Sequence, residues 1–375
     1  MSLAAARSEL TLAEKLRRLD WRLVLVLIGV AGVGTAALYS AGGMKPDPWA
    51  AKHATRFAIG LGLMLLVALV DLRVWMRLAY PAYVISVLLL VAVDVIGKGA
   101  MGAQRWLDLG PIQIQPSELM KVAAILALAR YFHGLSREQV GRIAYVIPAV
   151  AAIIVPVGLV MIQPDLGTAM VLLSTGAALM FVAGVRLWKF LVAGTLGAAS
   201  LPIGWQLMHE YQRNRVRIFL DPDLDPLGAG YHILQSKIAI GSGGMLGKGF
   251  GMGTQSALNF LPEKQTDFIF TMWTEETGLR GALILLALYA AIILYAHVVA
   301  LRARSHFGRL LAMGIGITIF LYVFINTAMV MGLLPVVGVP LPLVSYGGTA
   351  MLTVMFACGL LLGINVHRDL VIPRP

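Results

Sequence analysis

Apolar residues run along this chain in blocks near twenty residues long, the length that carries a helix across a hydrocarbon core. Ten such blocks can be drawn, at roughly 23–43, 54–70, 79–97, 116–133, 143–162, 166–185, 190–208, 270–301, 310–333 and 345–366. The pattern predicts an all-α polytopic membrane protein, with residues 1–375 forming a single integral membrane domain. The eighth block is long enough to include turns outside the membrane. Residues 10–21 (LTLAEKLRRLDW) read as a short amphipathic helix lying on the bilayer surface, within an N-terminal stretch 1–22. The 23–43 block is too long for the apolar part of a signal peptide and is expected to be a retained span.

Charge gives the orientation. Arg7, Lys15, Arg17, Arg18 and Arg22, then Arg73 and Arg77, Arg130, Arg137 and Arg142, Arg186 and Lys189, Arg302, Arg304 and Arg309, and Arg368 and Arg374 all fall on connections of one side. The short connections of the other side carry few basic residues, and those near 163–165 and 334–344 carry none. The positive-inside rule therefore places both termini in the cytoplasm. Trp21, Trp49, Trp75, Trp106, Trp188, Trp205 and Trp273 fall at or near span ends, where indole rings prefer the headgroup layer. Composition agrees: 59% of residues are hydrophobic, 13% are charged, and mean hydropathy is +0.82. A soluble domain of this size cannot bury that much apolar surface. The net charge of +11 is then assigned to topology and contact with anionic membrane lipid, and no nucleic-acid partner is expected. The one cysteine, Cys358, excludes an intramolecular disulfide.

One connection is unlike the others. Residues 209–269 face outward between the seventh and eighth spans, and a connection this long is usually functional. It carries Arg213, Arg215, Arg217, Lys237, Lys248 and Lys264 beside Glu210, Asp221, Asp223, Asp225, Glu263 and Asp267. Its stretch Gly241–Gly253 holds seven glycines in thirteen residues. Backbone amides there could cradle phosphate with Lys248 adding charge, or the glycines could permit tight re-entrant backbone. No Walker pattern is present.

Polar residues inside or beside the apolar blocks are the candidates for chemistry, because charge at membrane depth is costly. Gln115-Pro-Ser117-Glu118-Leu-Met-Lys121 opens the fourth block, and its Glu118 and Lys121 share one helix face. They read either as a structural ion pair or as the lining of a polar cavity open to the outside. Asp165, in Gln163-Pro-Asp165-Leu-Gly-Thr168, either caps the sixth helix or joins the Glu118/Lys121 cluster. Asp267 stands just before the eighth block, where it either caps that helix or serves as a partly desolvated base. Residues 333–348 contain three prolines yet are almost wholly apolar, which predicts packed irregular backbone able to line a lipid groove. No His/Cys metal constellation and no nucleophile elbow is found.

The stretches Gly102–Gly110, QPSELMK from Gln115, QPDLGTAMV from Gln163, DPLGAGYHILQSKIAIGSGGMLGKGFG from Asp225, LPEKQTDFIF from Leu261 and GLLPVVGVPLPLVSYGG from Gly332 occur in this order. Together they resemble the SEDS family of bacterial cell-wall proteins, the group of RodA, FtsW and SpoVE. Gln104-Arg-Trp-Leu-Asp108 looks more similar to the elongation branch, RodA, than to the division branch, FtsW. Gln265 and Thr277 depart from the residues common in relatives, His and Leu. The resemblance implies an inner-membrane peptidoglycan glycosyltransferase that polymerises lipid II, with the growing glycan strand as the other substrate. It puts the family's essential loop carboxylate on Asp267 and its buried cluster on Glu118, Lys121 and Asp165, flanked by Gln115 and Ser117. It also implies a class B penicillin-binding protein as partner.

The chemistry agrees with the residues. Displacing a diphosphate from an anomeric carbon by a hydroxyl needs a base, for which Asp267 is available on the outer side. The leaving diphosphate needs positive charge, from Arg213, Arg215, Arg217, Lys248 or a divalent cation; no cofactor is identified by motif. Two other classes use the same features. A lipid II transporter would also place Glu118, Lys121 and Asp165 within the membrane. A scaffold for other wall synthases would not need Asp267 for chemistry.

Overall fold

The computed structural model describes residues 10–100, 103–108, 113–207, 210–221, 224–225, 228–258, 260 and 263–374. Arg7, Gly102, Gly110, Asp223 and Leu261 from the sequence reading lie outside these residues, as does the side chain of Arg215.

A short helix α1 (Leu12–Arg17) precedes α2 (Trp21–Ala41), α3 (Ala50–Leu69) and α4 (Leu72–Ile96). Three short strands follow, β1 (Lys98–Ala100), β2 (Ala103–Asp108) and β3 (Gln113–Ile114). Then come α5 (Pro116–Gly134), α6 (Arg137–Val140), α7 (Ile143–Ile162), α8 (Leu166–Val182) and α9 (Leu187–Leu207). The outer connection contains α10 (Glu210–Leu220), α11 (Ala229–Gly243) and α12 (Thr254–Ala257). The chain ends with α13 (Ile269–Arg302), α14 (His306–Val330) and α15 (Gly348–Val366).

The helices coincide with the ten apolar blocks, and among the described residues seven are long and apolar enough to cross a membrane. α8 is apolar but has only 17 residues. Helix starts follow local chemistry. Thr11 and Glu14 form a reciprocal capping box on α1, and Asp20, Asp71 and Ser305 accept the first free amides of α2, α4 and α14. α5, α14 and α15 are the most buried of the spans and form the centre of the bundle. α15 lies along α3 through small residues: a methyl on Gly60 would sit 2.9 Å from Met355, and one on Gly359 would sit 2.7 Å from the Met64 carbonyl. Such close approach favours helix association in lipid, where no hydrophobic force drives it. By contrast, residues 191–200 of α9 are exposed on every side.

Both chain ends meet at one face. Lys15 Nζ donates to the Leu69 carbonyl (2.8 Å), Arg18 pairs with Asp369 (3.2 Å), and His133 contacts the Pro373 carbonyl (3.3 Å). Arg130 and Lys189 cap helix or turn carbonyls at this same basic face. The protein is an integral membrane protein, and this basic face is the one that the positive-inside rule assigns to the cytoplasm.

Two features add to the expected helical architecture. The strands form an antiparallel meander, β1-β2-β3, at the outer end of α4. From β2, Arg105 donates to the carbonyls of Gln163 (3.2 Å) and Pro164, tying the meander to the α7–α8 turn. The outer connection is also largely helical, and α11 is folded into the bundle. Its Ser236 is fully buried and bonds Thr271 Oγ1 on α13 (2.7 Å) and the Val330 carbonyl of α14 (2.7 Å).

Candidate active site

Asp267 sits half-buried at the end of a tight turn. The Glu263 carbonyl accepts from the amides of Thr266 (3.1 Å) and Phe268 (3.2 Å), while the Glu263 carboxylate accepts from Thr266 Oγ1 (2.9 Å) and Gln265 Nε2 (3.3 Å). Burial lowers the pKa of the neighbouring Lys264 ammonium. Three contacts from elsewhere fix the turn. Asn326 Nδ2 on α14 donates to the Asp267 carbonyl (3.1 Å) and to the Val339 carbonyl (2.8 Å). Ser345 Oγ donates to the Thr266 carbonyl (2.6 Å) and accepts from the Leu341 amide (2.8 Å). The Tyr346 amide donates to the Gln265 carbonyl (2.8 Å). Each of residues 265–267 is thus held through its backbone carbonyl. The irregular 333–347 segment is the other half of the site, and a methyl on Gly338 (φ 72°) would lie 3.6 Å from Asp267 Oδ2. The N-cap position of α13 is taken by Phe268, one residue after Asp267.

A second polar cluster lies deeper. Ser117, Glu118, Lys121 and Asp165 are all at most 3% exposed. Lys121 Nζ donates to Glu118 Oε1 (2.7 Å), Tyr322 OH on α14 donates to Glu118 Oε2 (2.9 Å), and the ammonium lies 4.6 Å from the centre of the Tyr322 ring. Both oxygens of Glu118 are therefore satisfied. Asp165 takes the capping role foreseen for it. It caps α8 through the Thr168 amide (3.1 Å) and hydroxyl (2.9 Å), and it accepts from Gln115 Nε2 (3.4 Å). Tyr322 and Asn326 are one turn apart on α14, so a single helix face supports both the ion pair and the Asp267 turn. Between them is a cavity lined by Tyr322, Leu341, Pro342, Ser345, Gly347 and Met351. A second cavity, walled by Lys121, Ile125, Ile153, Leu172 and Thr175, opens between α5, α7 and α8.

Residues 17–370 match the FTSW_RODA_SPOVE family, described as cell cycle proteins. The chain belongs to this family. Among FTSW_RODA_SPOVE relatives, it is 46% identical to peptidoglycan glycosyltransferase MrdB of Escherichia coli (strain K12), over 94% of this chain and 95% of that one. It is 35% identical to stage V sporulation protein E of Bacillus subtilis (strain 168), over 92% and 96% of the two chains. Among solved structures, one described as showing structural coordination of polymerization and crosslinking by a peptidoglycan synthase complex matches with a TM-score of 0.78 and 34% identity, over 93% of this chain and 98% of that one. The rod shape determining protein RodA of Thermus thermophilus matches with a TM-score of 0.70 and 29% identity, over 93% and 97%.

The basic residues proposed for the diphosphate are dispersed in this family member. Arg213 donates to the carbonyls of Trp205 (2.9 Å) and Gln206 (2.7 Å), and Arg217 bonds Asn214 (3.2 Å) and lies 3.9 Å from Glu210, all at the α9–α10 corner. Lys248 Nζ bonds Glu275 Oε1 (2.7 Å) and Thr254 Oγ1 (2.7 Å), so its charge already has a buried partner. The glycine run does not present open amides as a phosphate cradle: the Lys248 and Gly249 amides donate to the carbonyls of Glu275 and Glu276. Sequence reading missed Tyr322, Asn326, Ser345 and Arg56. The signal was there for all four, since each falls within an apolar block and polar side chains inside such blocks are default functional candidates. Arg56, on α3, sets its guanidinium 4.8 Å from the centre of the Tyr346 ring, beside the Gln265 contact.

Proposed function

We propose that this protein is a peptidoglycan glycosyltransferase of the inner membrane, polymerising lipid II into β-1,4-linked glycan during cell elongation, with Asp267 as the base. The observation that supports the reading is the turn that carries Asp267, whose backbone carbonyls are held by Asn326 of α14 and by Ser345 and Tyr346. The acceptor 4-hydroxyl gives its proton to Asp267 as its oxygen bonds to the donor's anomeric carbon. The bond from that carbon to the diphosphate breaks, and the electron pair leaves with undecaprenyl diphosphate. A single displacement of an α-linked donor inverts the centre and gives the β linkage, with no enzyme nucleophile.

For the diphosphate, Arg56 is the preferred contact, because its guanidinium stands over Tyr346 next to the base turn. Arg213 and Arg217 are held for a second charge at the α9–α10 corner. The described residues gather no group of three or more His, Cys, Asp or Glu fit to hold a metal, and no step here is routed through a divalent cation. A class B penicillin-binding protein is the partner, in keeping with the peptidoglycan synthase complex that this fold matches. The deciding experiment is a lipid II polymerisation assay on the purified chain, with and without that transpeptidase. Wild type should form glycan strands and Asp267→Asn should not. Strands of normal yield from Asp267→Asn would overturn the assignment of the base. Failure of wild type to polymerise in either setting would favour transport or scaffolding.

A further inference from the structure

Glu275 lies two turns inside α13 and is completely buried, and nothing in the reaction above uses it. Its Oε1 collects four donors: Lys248 Nζ (2.7 Å), the Thr254 amide (2.9 Å), Thr254 Oγ1 (3.0 Å) and the Gln255 amide (3.1 Å). A carboxylate with this many donors is a strong, directional anchor. Its place in α13 matters because the helix breaks three residues later, at Gly278 (φ 69°, ψ −167°).

In an unbroken helix the carbonyls of Glu275 and Glu276 would receive the amides of Leu279 and Arg280. Here the glycine run is inserted between those partners. The Lys248 and Gly249 amides donate to the two carbonyls (3.0 and 3.0 Å), while the Leu279 and Arg280 amides donate to the carbonyls of Gly244 (2.9 Å) and Met245 (3.3 Å). Four backbone groups freed by the break are all satisfied by one loop. Gly247 and Gly278 meet so closely that a methyl on Gly278 would lie 2.4 Å from the Gly247 nitrogen. Glu275 then fastens the outgoing end of the same loop, at Thr254 and Gln255. Eight residues further along the chain stands Glu263, which opens the turn carrying Asp267.

We infer that Glu275, paired with Lys248, is a positioning residue for Asp267: by pinning residues 254–255 to α13 it fixes where the arm that carries the base begins, while Asn326 and Ser345 fix where it ends. The inference rests on the assignment of Asp267 as base. A displacement near 1 Å at a reacting group lowers a rate about a hundredfold. Glu275→Gln removes the charge that holds Lys248 and weakens all four bonds; Lys248→Met removes the cation alone from a site whose lysine is 26% exposed.

The test measures lipid II polymerisation, per folded protein by gel filtration and thermal unfolding, for the full chain with its transpeptidase. Glu275→Gln and Lys248→Met should each lower kcat roughly tenfold or more with KM for lipid II within about twofold. The double variant should be no slower than Glu275→Gln alone, and Lys248→Arg should stay within about threefold of wild type. A purely structural role would reduce only the folded fraction. If Glu275→Gln does not fold, Lys248→Met and Lys248→Arg carry the test. Wild-type kcat per folded protein in Lys248→Met, or a loss confined to KM, overturns the inference. Asp267→Asn is run alongside: if it is inactive while Glu275→Gln and Lys248→Met are fully active, only the positioning role falls; if it polymerises, the base assignment falls first.

Discussion

The two polar regions carried by one face of α14 satisfy their charges in opposite ways. Around Tyr322, the side chains close on each other: Glu118 is bonded by Lys121 and by the tyrosine hydroxyl, and the whole group is sealed from solvent. Around Asn326, the bonds go to backbone carbonyls, and the acidic side chain at the end of the turn is held by what surrounds it. The first arrangement makes a charge tolerable in hydrocarbon by neutralising it locally, and the reward is a fixed α5–α14 contact. The second places its acidic residue by hydrogen bonds to the backbone of the turn that carries it. The difference lies in where the hydrogen bonds go, although both look alike as acidic residues at the edges of apolar blocks.

Substitutions can break this distinction or sharpen it. The largest effect on activity is expected at Asp267. Asp267→Asn should lower lipid II polymerisation at least a hundredfold, an order of magnitude typical of losing a general base, with an unchanged thermal unfolding midpoint. If the midpoint drops as well, the residue belongs with the first kind of region. Glu118→Ala should do the reverse and act first on stability. It strands the Lys121 ammonium and the Tyr322 hydroxyl, and breaking a buried pair costs about 3–5 kcal/mol. Replacing all three partners together (Glu118→Leu, Lys121→Met, Tyr322→Phe) should regain most of that loss in thermal unfolding, because no polar group is left buried without a partner.

Asn326→Ala lies between these cases. It leaves the Asp267 and Val339 carbonyls without their donor, which destabilises by about 1–3 kcal/mol. Polymerisation per folded molecule should also fall roughly tenfold through the shifted turn. The smallest effect is expected in water, at the Thr11–Glu14 capping box. The hydrogen bond from the Thr11 amide, aided by its hydroxyl, holds the Glu14 carboxyl below its ordinary pKa. A depressed carboxyl pKa stabilises α1 above the unfolded value, and that contribution disappears as pH falls through the folded one. Hydrogen exchange over residues 12–17 should quicken only about twofold to fivefold in Thr11→Ala or in acid.

Most of the helical scaffold was legible because a membrane forces it into print: twenty apolar residues in a row have few other destinations, and the basic residues mark one side. The meander of β1 to β3 was not, since strands of two to six residues amid glycines leave no alternation to read. At the site, Asp267, Glu118, Lys121 and Asp165 stood out as charges near apolar blocks. What the sequence could not express was the destination of backbone hydrogen bonds. Seven glycines near a lysine fit a phosphate cradle and tight re-entrant backbone equally well, and what separates them is that the Lys248 and Gly249 amides go to carbonyls of α13 while the Lys248 ammonium goes to Glu275. Asn326 and Ser345 were passed over because each is a lone uncharged polar residue, and their partners are carbonyls contributed by segments far away in sequence.

The break at Gly278 has a bearing on how this chain tolerates change in length. Peptide groups left dangling in oil are expensive, and the run from Gly244 to Gly249 covers those of α13 in strict register. Adding or deleting one amino acid within that run would slide every donor past its acceptor. Grafts, tags and reporters therefore have no place in the splice, where the molecule permits no change of length.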